Sequence, residues 1–266
     1  MTTYDTLVKD IGPLGKRKLR RLSMVIALVI AAGVALLVYG LYAKGELAPS
    51  KWALFGVWPT WRFLLGGLVN TLKVAVVDAV IAISIGALVA LGQVSTHKCL
   101  RWPSVLYAEG FRSLPTLLLV LFAYFGLPPL GFEISAFWAL VLGSAAYNSA
   151  AFSNIFKAGI KSLGRGQFQA AASLGMNYWV RMRFVIWPQA FRRMLPSTIA
   201  QFVVLLKDSS LGFFIGYEEL LRQSEVIGAY TNNFLQSYLV VGVVYILLCY
   251  GLRRLALHVG DIQSGE

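Results

Sequence analysis

Six long apolar stretches recur along the chain, and shorter polar or basic segments separate them. Each stretch approaches the roughly 20 apolar residues that an α-helix needs to cross a lipid bilayer. The pattern therefore predicts an all-α membrane protein with six transmembrane helices. The predicted spans cover residues 24–42, 64–91, 105–127, 134–156, 196–215 and 234–257.

The composition supports a membrane protein, because only 14% of the residues are charged and 58% are hydrophobic. Soluble domains usually carry about 25% charged residues. The first apolar stretch could also be a secretory signal peptide. Its basic lead is long and no small-residue cleavage site closes it, so we interpret it as an uncleaved span. Cys99 and Cys249 match neither a disulfide framework nor a metal-binding spacing.

The placement of positive charge predicts the orientation of the chain. The formal net charge is +12, and basic residues concentrate before the first span and in alternate loops. Because cytoplasmic loops carry the excess of Lys and Arg, both termini are predicted to be cytoplasmic. Nucleic-acid binding is a rival explanation, but this charge flanks spans, so no nucleic-acid partner is expected. The basic segments contain Lys9, Lys16, Arg17, Lys18, Arg20 and Arg21; Lys98 and Arg101; Lys157, Lys161, Arg165, Arg181, Arg183, Arg192 and Arg193; and Arg253 and Arg254.

A small-residue segment between the fourth and fifth spans is predicted to form a short helix on the cytoplasmic side. The alanines at 170–172 favour a helix over residues 167–174, and Gly175 suits a left-handed helix end. Asn177 can cap the helix that follows. The nearly bare alanine face suits a docking partner. A connector lying on the lipid surface is the alternative, and the residues alone leave both open.

Charged residues within the predicted spans are candidates for a substrate path. Each costs roughly 2.5–3.5 kcal/mol to insert, so it normally faces a cavity or a partner. Lys73 and Lys207 could flank one vestibule, or their long side chains could reach the headgroups instead. Asp78 could pair with Lys207, and Arg112 could act at a gate. Asparagines at membrane depth could line a polar path or only join helices. The candidate path comprises Asn70, Lys73, Asp78, Arg112, Asn148, Asn154, Lys207, Asp208 and Ser209.

Four ordered motifs carry a resemblance to a known family. The stretch 166–176, Gly-Gln-Phe-Gln-Ala-Ala-Ala-Ser-Leu-Gly-Met, followed by Leu195-Pro196, resembles the coupling-helix motif of ABC importer permeases. Phe-Arg-Ser-Leu-Pro at 111–115, the stretch 152–160, and Leu-Lys-Asp-Ser-Ser-Leu at 206–211 resemble elements of the polar amino-acid permeases. Two positions depart from the pattern, because Gln169 and Asn154 stand where many relatives carry Glu.

The resemblance implies a five-helix permease core with one extra N-terminal helix, as in the glutamate-type branch. It divides the chain into a cytoplasmic basic tail (1–23), an extra span with an outer interfacial segment (24–62), a permease domain (63–258) and a cytoplasmic C-terminal tail (259–266). The coupling helix is expected at about 166–175. The residues expected to couple to an ATPase are Gly166, Gln167, Gln169, Ala170, Ala171, Ala172 and Gly175.

The resemblance also implies partners. ATPase subunits would dock at the cytoplasmic face, a solute-binding protein at the outer face, and a second permease chain, identical or related, within the lipid bilayer. The chain has no Gly-x-x-x-x-Gly-Lys-Ser/Thr loop, so ATP and Mg²⁺ are expected on the partner ATPase and no cofactor on this chain. The chain is therefore expected not to be an enzyme, and its location is the cytoplasmic membrane.

The residues favour an acidic substrate, glutamate or aspartate, because Asn154 replaces an acid and Lys73 and Lys207 fall within spans. A permease for another polar amino acid such as glutamine is the alternative. A membrane scaffold without a transport role is a second rival. An intramembrane enzyme is a third, but Asp78 and Asp208 fit no protease-like motif.

Overall fold

The computed structural model describes residues 13–264, except for the side chains of 13, 14, 16, 17, 165 and 255–264, and divides the chain after Val57 into two units. Residues 1–12 of the predicted basic tail and the last two residues of the C-terminal tail lie outside this description. We describe each unit separately.

The N-terminal unit consists of one long helix and a short helical segment. Helix α1 (Pro13–Ala43) contains a candidate span, Lys18–Ala43, in which an 18-residue window reaches a mean hydropathy of 2.7. Basic residues from the predicted tail therefore continue directly into the first span as one helix. After α1, the short helix α2 (Pro49–Trp52) leads into a 3₁₀ turn (Ala53–Gly56).

The C-terminal unit is all-helical over its described residues. Its helices follow the predicted spans, with an additional helix, α10, that the hydropathy pattern did not indicate. The elements are α3 (Trp58–Val94), α4 (Lys98–Ser113), α5 (Thr116–Leu121) with a π turn (Phe122–Gly126), a 3₁₀ turn (Pro128–Leu130), α6 (Ala136–Lys161), α7 (Arg165–Ser173), α8 (Tyr178–Arg181) with a π turn (Met182–Ile186), α9 (Trp187–Asp208) with a 3₁₀ turn (Ser209–Ile215), α10 (Leu220–Thr231) and α11 (Phe234–Ser264).

The predicted span over residues 105–127 is not one continuous helix. Helices α4 and α5 meet there at an angle of 100°. The cause is Pro115, since a proline disfavours helical backbone in the residue before it. Leu114 is accordingly extended, with φ −95° and ψ 140°, and α4 ends at Ser113. This segment is therefore a pair of helices with a sharp bend between them, and α4 ends at the bend.

Helix α6 lies at the centre of this unit, packed against α3, α4, α5 and α9. Small residues permit the close contacts, as is usual between membrane helices. A Cβ added to Gly86 of α3 would lie 2.8 Å from the carbonyl oxygen of Ser149. A Cβ on Gly143 of α6 would lie 2.5 Å from the Cα of Val120. These glycines therefore set the spacing of the core helices.

By length and composition, four helices of the described residues could cross a membrane, and five if the bent pair crosses as one span. Helix α6 has 26 residues and is about 39 Å long, enough to cross. Its middle carries buried polar side chains, Ser144, Asn148 and Ser149, which lower its hydropathy. The surrounding helices α3, α4, α5 and α9 cover these polar side chains.

Candidate functional site

A polar cavity of about 530 Å³ lies between α4, α6 and α9. Two arginines, Arg112 and Arg193, contribute to its wall together with Asn154 and Gln201. None of the residues that line it is acidic. The volume falls within the roughly 300–1,000 Å³ typical of small-molecule sites. The cavity therefore suits a small polar solute that carries negative charge.

Local structure positions the two arginines. Arg112 lies in the last turn of α4, just before the bend at Pro115, so its side chain is exposed to the cavity. Arg193 donates a hydrogen bond of 2.6 Å from Nη1 to the carbonyl oxygen of Ser162, the residue that caps α6. A cation is favourable at a helix C-terminus, where carbonyl groups lack intrahelical partners. Arg193 thereby holds α9 against the end of α6.

A buried polar network lies next to the cavity and joins α3, α6 and α9. Nδ2 of Asn148 donates to Oδ2 of Asp208 (3.2 Å) and lies 3.0 Å from Oγ of Ser144. The Ser144 hydroxyl in turn donates to Oδ2 of Asp78. Nε2 of Gln201 donates to Oδ1 of Asn148 over 2.8 Å. Since Gln201 also lines the cavity, it belongs to both features.

This network holds two carboxylates without a partner cation. Asp78 is fully buried, and its Oδ1 has no hydrogen-bond partner among the described residues. The expected pairing of Asp78 with Lys207 is not formed, since Asp78 accepts from Ser144 and Lys207 is exposed. Buried polar groups at membrane depth are costly unless satisfied, so such networks are sensitive to any change in charge.

The structure separates the predicted path residues into groups. Arg112 and Asn154 line the cavity. Asp78, Asn148 and Asp208 lie in the buried network, which a hydrogen bond from Gln201 joins to the cavity wall.

The remaining path residues lie away from the cavity. Asn70 donates from Nδ2 to the carbonyl oxygen of Glu218 (2.8 Å), which ties α3 to the segment before α10. The buried Ser209 donates to the carbonyl oxygen of Leu206, so its hydroxyl is used at the end of α9. Lys73 and Lys207 are exposed and line no part of the cavity.

Helix α7 is the short helix expected at about 166–175. Gly175 follows it with φ +70°. The amide of Gly175 donates to the carbonyl of Ala172 (2.9 Å), and that of Met176 donates to the carbonyl of Ala171 (3.3 Å). This is the Schellman arrangement, in which a glycine ends the helix and satisfies its last carbonyls.

Three side chains attach α7 to the helices around it, and most of the others are exposed. One of them is Gln167, whose Oε1 accepts a hydrogen bond of 3.1 Å from Nε2 of Gln189 in α9. Ala171 is buried, and Phe168 packs against a buried apolar cluster that includes Ile160 and Met182. The other alanines, together with Gln167 and Gln169, are exposed, and Leu174 is 77% exposed. After the turn, Oδ1 of Asn177 accepts from the amide of Val180 (2.9 Å), which is the expected helix cap. One side of α7 is therefore packed against the neighbouring helices, and its exposed side carries mostly small side chains.

A second buried carboxylate site lies between the last two candidate spans. Glu219 caps α10, accepting from the amides of Leu221 (2.8 Å) and Arg222 (2.7 Å). The hydroxyl of Tyr245 donates to its Oε2 over 3.0 Å. Burial raises the pKa of Glu219 to about 7, although these three donors act in the opposite direction.

Sequence reasoning missed several of these residues. Gln201 lies seven positions before Asp208, two turns along one helix face, and that spacing could have linked them. Ser144 lies four positions before Asn148 on the same face of α6. Arg193 was assigned only to the basic segment, and no local signal in the sequence assigns it to the cavity.

The chain matches, over residues 82–260, the family described as the inner membrane component of binding-protein-dependent transport systems. It belongs to this family. The match covers the cavity residues, α7 and the members of the buried network other than Asp78, which lies four positions before its start. The family consists of membrane components of transport systems, so this permease is a transport protein of the membrane.

Curated relatives are permeases for amino acids. The chain is 37% identical over 220 residues to the glutamate transport system permease protein GluD of Corynebacterium glutamicum, covering 81% of each chain. It is 36% identical over 191 residues to the arginine transport system permease protein ArtQ of Bacillus subtilis, covering 71% of this chain and 87% of that one. It is 35% identical over 202 residues to the glutamate/aspartate import permease protein GltK of Escherichia coli, covering 71% and 88%. The chain is therefore an amino-acid ABC transporter permease.

Solved structures agree with this assignment. An amino-acid ABC transporter crystallised with histidines matches with a TM-score of 0.71 and 32% identity, over 75% of this chain and 94% of that one. An inward-facing form of the MetNI methionine transporter matches with a TM-score of 0.66 at 16% identity, over 77% and 98%, which shows the shared fold.

Proposed function

We propose that this permease is the membrane-spanning subunit of an ATP-driven importer whose substrate is an acidic amino acid, glutamate or aspartate. The observation that carries the proposal is the cavity wall, which contains Arg112 and Arg193 and no carboxylate. An acidic amino acid has two carboxylates and one ammonium group, so it is drawn to such a wall. A cationic substrate would meet two like charges there.

Neutral amides complete the polar lining. Asn154 stands where many relatives carry an acid, and it lies on the wall beside Gln201. An amide both donates and accepts, so it can hold the ammonium and carboxylate groups of any zwitterion. Two relatives named above are glutamate permeases, and the third is an arginine permease. The positive charge of Arg112 and Arg193 in the cavity wall is what favours an acidic amino acid over glutamine or arginine as the substrate.

The membrane arrangement follows from this role. Residues 63–258 form the permease domain, preceded by an extra span within 24–62. Six spans with both termini in the cytoplasm place the basic segments on the inner face. The bent pair α4–α5 and the polar helix α6 then each count as one crossing. Helix α7 lies on the same inner face as the basic residues that flank it.

Helix α7 is the coupling element. Its exposed alanines leave a bare face on which an ATPase subunit can close, and Phe168 and Ala171 join it to the membrane helices. ATP and Mg²⁺ bind to that ATPase. Closure of two ATPase subunits would move α7 as a rigid body and change which side of the membrane the cavity faces. A second permease chain completes the path, and a solute-binding protein delivers the substrate from outside.

Uptake by the complete transporter tests the substrate. Cells that express the permease with its ATPase and binding protein, and lack other amino-acid carriers, are given labelled glutamate. Unlabelled glutamate or aspartate should compete, and arginine should not. Preferential uptake of arginine or lysine overturns the acidic class, and competition by glutamine alone assigns the neutral alternative.

One substitution tests the cavity itself. Asn154→Glu places a carboxylate on the wall and should reduce glutamate uptake about 10-fold or more, because like charges repel strongly where water is scarce. Asn154→Gln keeps the amide and changes only the length, so it is the matched control. Equal glutamate uptake by the two variants would remove this cavity from the substrate path.

A further inference from the structure

A second cavity, of about 490 Å³, lies beside α7 and is separate from the substrate cavity. Three cations line it: Arg101 of α4, and Lys157 and Lys161 of α6. None of the residues that line it is acidic. None of these three cations forms an ion pair with a side chain that the structure describes. The cavity therefore concentrates uncompensated positive charge at one place.

The two lysines are an unfavourable pair by themselves. Residues four positions apart on a helix are neighbours, and like charges at this spacing destabilise the helix. Lysines at helix ends commonly extend to water, which accounts for one exposed lysine. Extension of one side chain to water does not explain why three cations from two helices line the same cavity. An anion bound between them would remove the repulsion.

A polar group in the same cavity also lacks a partner. Gln93 lines it and is 5% exposed. Its Nε2 donates to Oγ of Ser153 (3.0 Å), while its buried Oε1 has no hydrogen-bond partner among the described residues. Buried acceptors are almost always satisfied. An anion that also carries a hydroxyl group would supply a donor to this oxygen.

The surroundings indicate where such an anion comes from. Next to Arg101 on α4, Leu100, Trp102 and Leu106 are 57%, 68% and 74% exposed. An apolar surface of this kind beside basic residues is typical of the boundary between headgroups and acyl chains. Basic pockets between membrane helices on the cytoplasmic side are a known form of site for anionic headgroups.

We propose that this cavity binds the headgroup of an anionic, hydroxyl-bearing phospholipid such as phosphatidylglycerol. The phosphodiester lies against Arg101, Lys157 and Lys161, a glycerol hydroxyl donates to Oε1 of Gln93, and the acyl chains lie along the exposed apolar face of α4. Phe168 of α7 forms part of the same cavity. A bound headgroup therefore contacts the base of the proposed coupling helix and fixes its position.

Lipid binding to the purified full-length chain tests the site directly. Native mass spectrometry in a non-ionic detergent measures the affinity for dioleoyl phosphatidylglycerol and dioleoyl phosphatidylcholine. The wild-type chain should prefer phosphatidylglycerol, and Lys157→Gln/Lys161→Gln should weaken its binding about 30-fold, since each lysine contributes about a 5-fold change. Arg253→Gln/Arg254→Gln removes two charges from another helix and should leave the affinity unchanged. If the lysine and arginine double variants bind phosphatidylglycerol with equal affinity, the proposed site is wrong.

Two further arms identify the ligand. Inorganic phosphate should not displace phosphatidylglycerol at similar concentrations, and efficient displacement would overturn the lipid assignment in favour of a soluble phosphate. The wild-type chain should prefer phosphatidylglycerol to phosphatidylmethanol, a phosphodiester of the same charge that has no headgroup hydroxyl. Gln93→Met should abolish this preference, and an unchanged preference overturns the role of Gln93. These measurements need no substrate, so they are independent of the acidic amino-acid proposal.

Discussion

Nε2 of Gln201 donates a hydrogen bond of 2.8 Å to Oδ1 of Asn148, and this bond joins the wall of the polar cavity to the buried network. Asn148 uses its Nδ2 group toward Asp208 and Ser144, so only its oxygen is available to Gln201. The orientation of the Asn148 amide thereby determines the orientation of the Gln201 amide. The cavity wall and the membrane helices around it are consequently held as one polar assembly.

Replacing Asn148 with aspartate should destabilise the protein strongly. The variant removes the amide that donates to Asp208 and places a third carboxylate in the network that holds Asp78 and Asp208. A buried charge without compensation costs roughly 3–5 kcal/mol. Thermal unfolding in detergent should show a large fall in the midpoint temperature. Asn154→Asp is the control, because Asn154 is only half-buried on the cavity wall, and an equal loss in both variants would contradict this account.

The parts of the structure that depend on local chemistry could be predicted from the sequence. The short helix was expected over residues 167–174 and lies at Arg165–Ser173, with Gly175 at φ +70°. Cap residues act within one turn of the chain, so their spacing is sufficient to locate such a helix. Three of the six predicted spans, 24–42, 64–91 and 234–257, lie wholly within one helix, and 134–156 begins two residues before α6, because 20-residue apolar runs have few alternatives. The predicted span 196–215 ends in the 3₁₀ turn that follows α9.

The break at Pro115 shows where local reasoning failed despite an available signal. The run 105–127 is apolar enough to read as one span, but a residue before proline disfavours the helical conformation. A hydropathy profile averages over many residues, so it does not detect a helix break that involves only one or two of them. The Leu114–Pro115 pair was the sign that two helices meet here.

The polar cavity beside Arg112 and the basic cavity beside α7 could not be predicted from sequence spacing. Each is formed by helix faces that are far apart in the chain, as with Arg112 and Arg193, which are 81 positions apart. Their meeting depends on the packing angles and on close contacts such as that at Gly143. Helical periodicity assigns residues to one face but does not say which faces meet.

Gly175→Val should abolish uptake while the protein still inserts into the membrane. Gly175 has φ +70°, and a β-branched residue there is strained by about 1–2 kcal/mol, so α7 would end differently. Labelled glutamate uptake, compared at equal membrane levels of protein, measures the effect. Gly175→Asn is the matched control, because asparagine tolerates the left-handed conformation and should retain most of the uptake. Full uptake by the valine variant would argue against a role for the geometry of α7.

Gly143→Ala should lower the unfolding temperature of the C-terminal unit. The added Cβ would lie 2.5 Å from Cα and 2.6 Å from N of Val120, and backbone atoms cannot move aside as a flexible side chain can. Overpacking of this kind costs roughly 1–3 kcal/mol. Gly242→Ala provides the comparison, because nothing lies within 4 Å of the added methyl group there. That variant should be neutral or slightly stabilising, and similar losses in both would contradict the packing argument.

The stability of the protein should fall as pH rises from about 5 to 7, with Glu219 as one cause. Burial raises the pKa of Glu219 from 4.5 to about 7, so the folded protein holds this proton more tightly than the unfolded chain. The favourable contribution is fully present below the unfolded pKa and is lost as pH passes through the folded one. The loss amounts to about 3 kcal/mol at most, at 1.36 kcal/mol per pKa unit. Thermal unfolding of the wild type and of Glu219→Gln between pH 5 and 8 isolates this group, because Gln does not titrate. The difference between the two curves should change with pH, and a constant difference would show that Glu219 does not hold the proton.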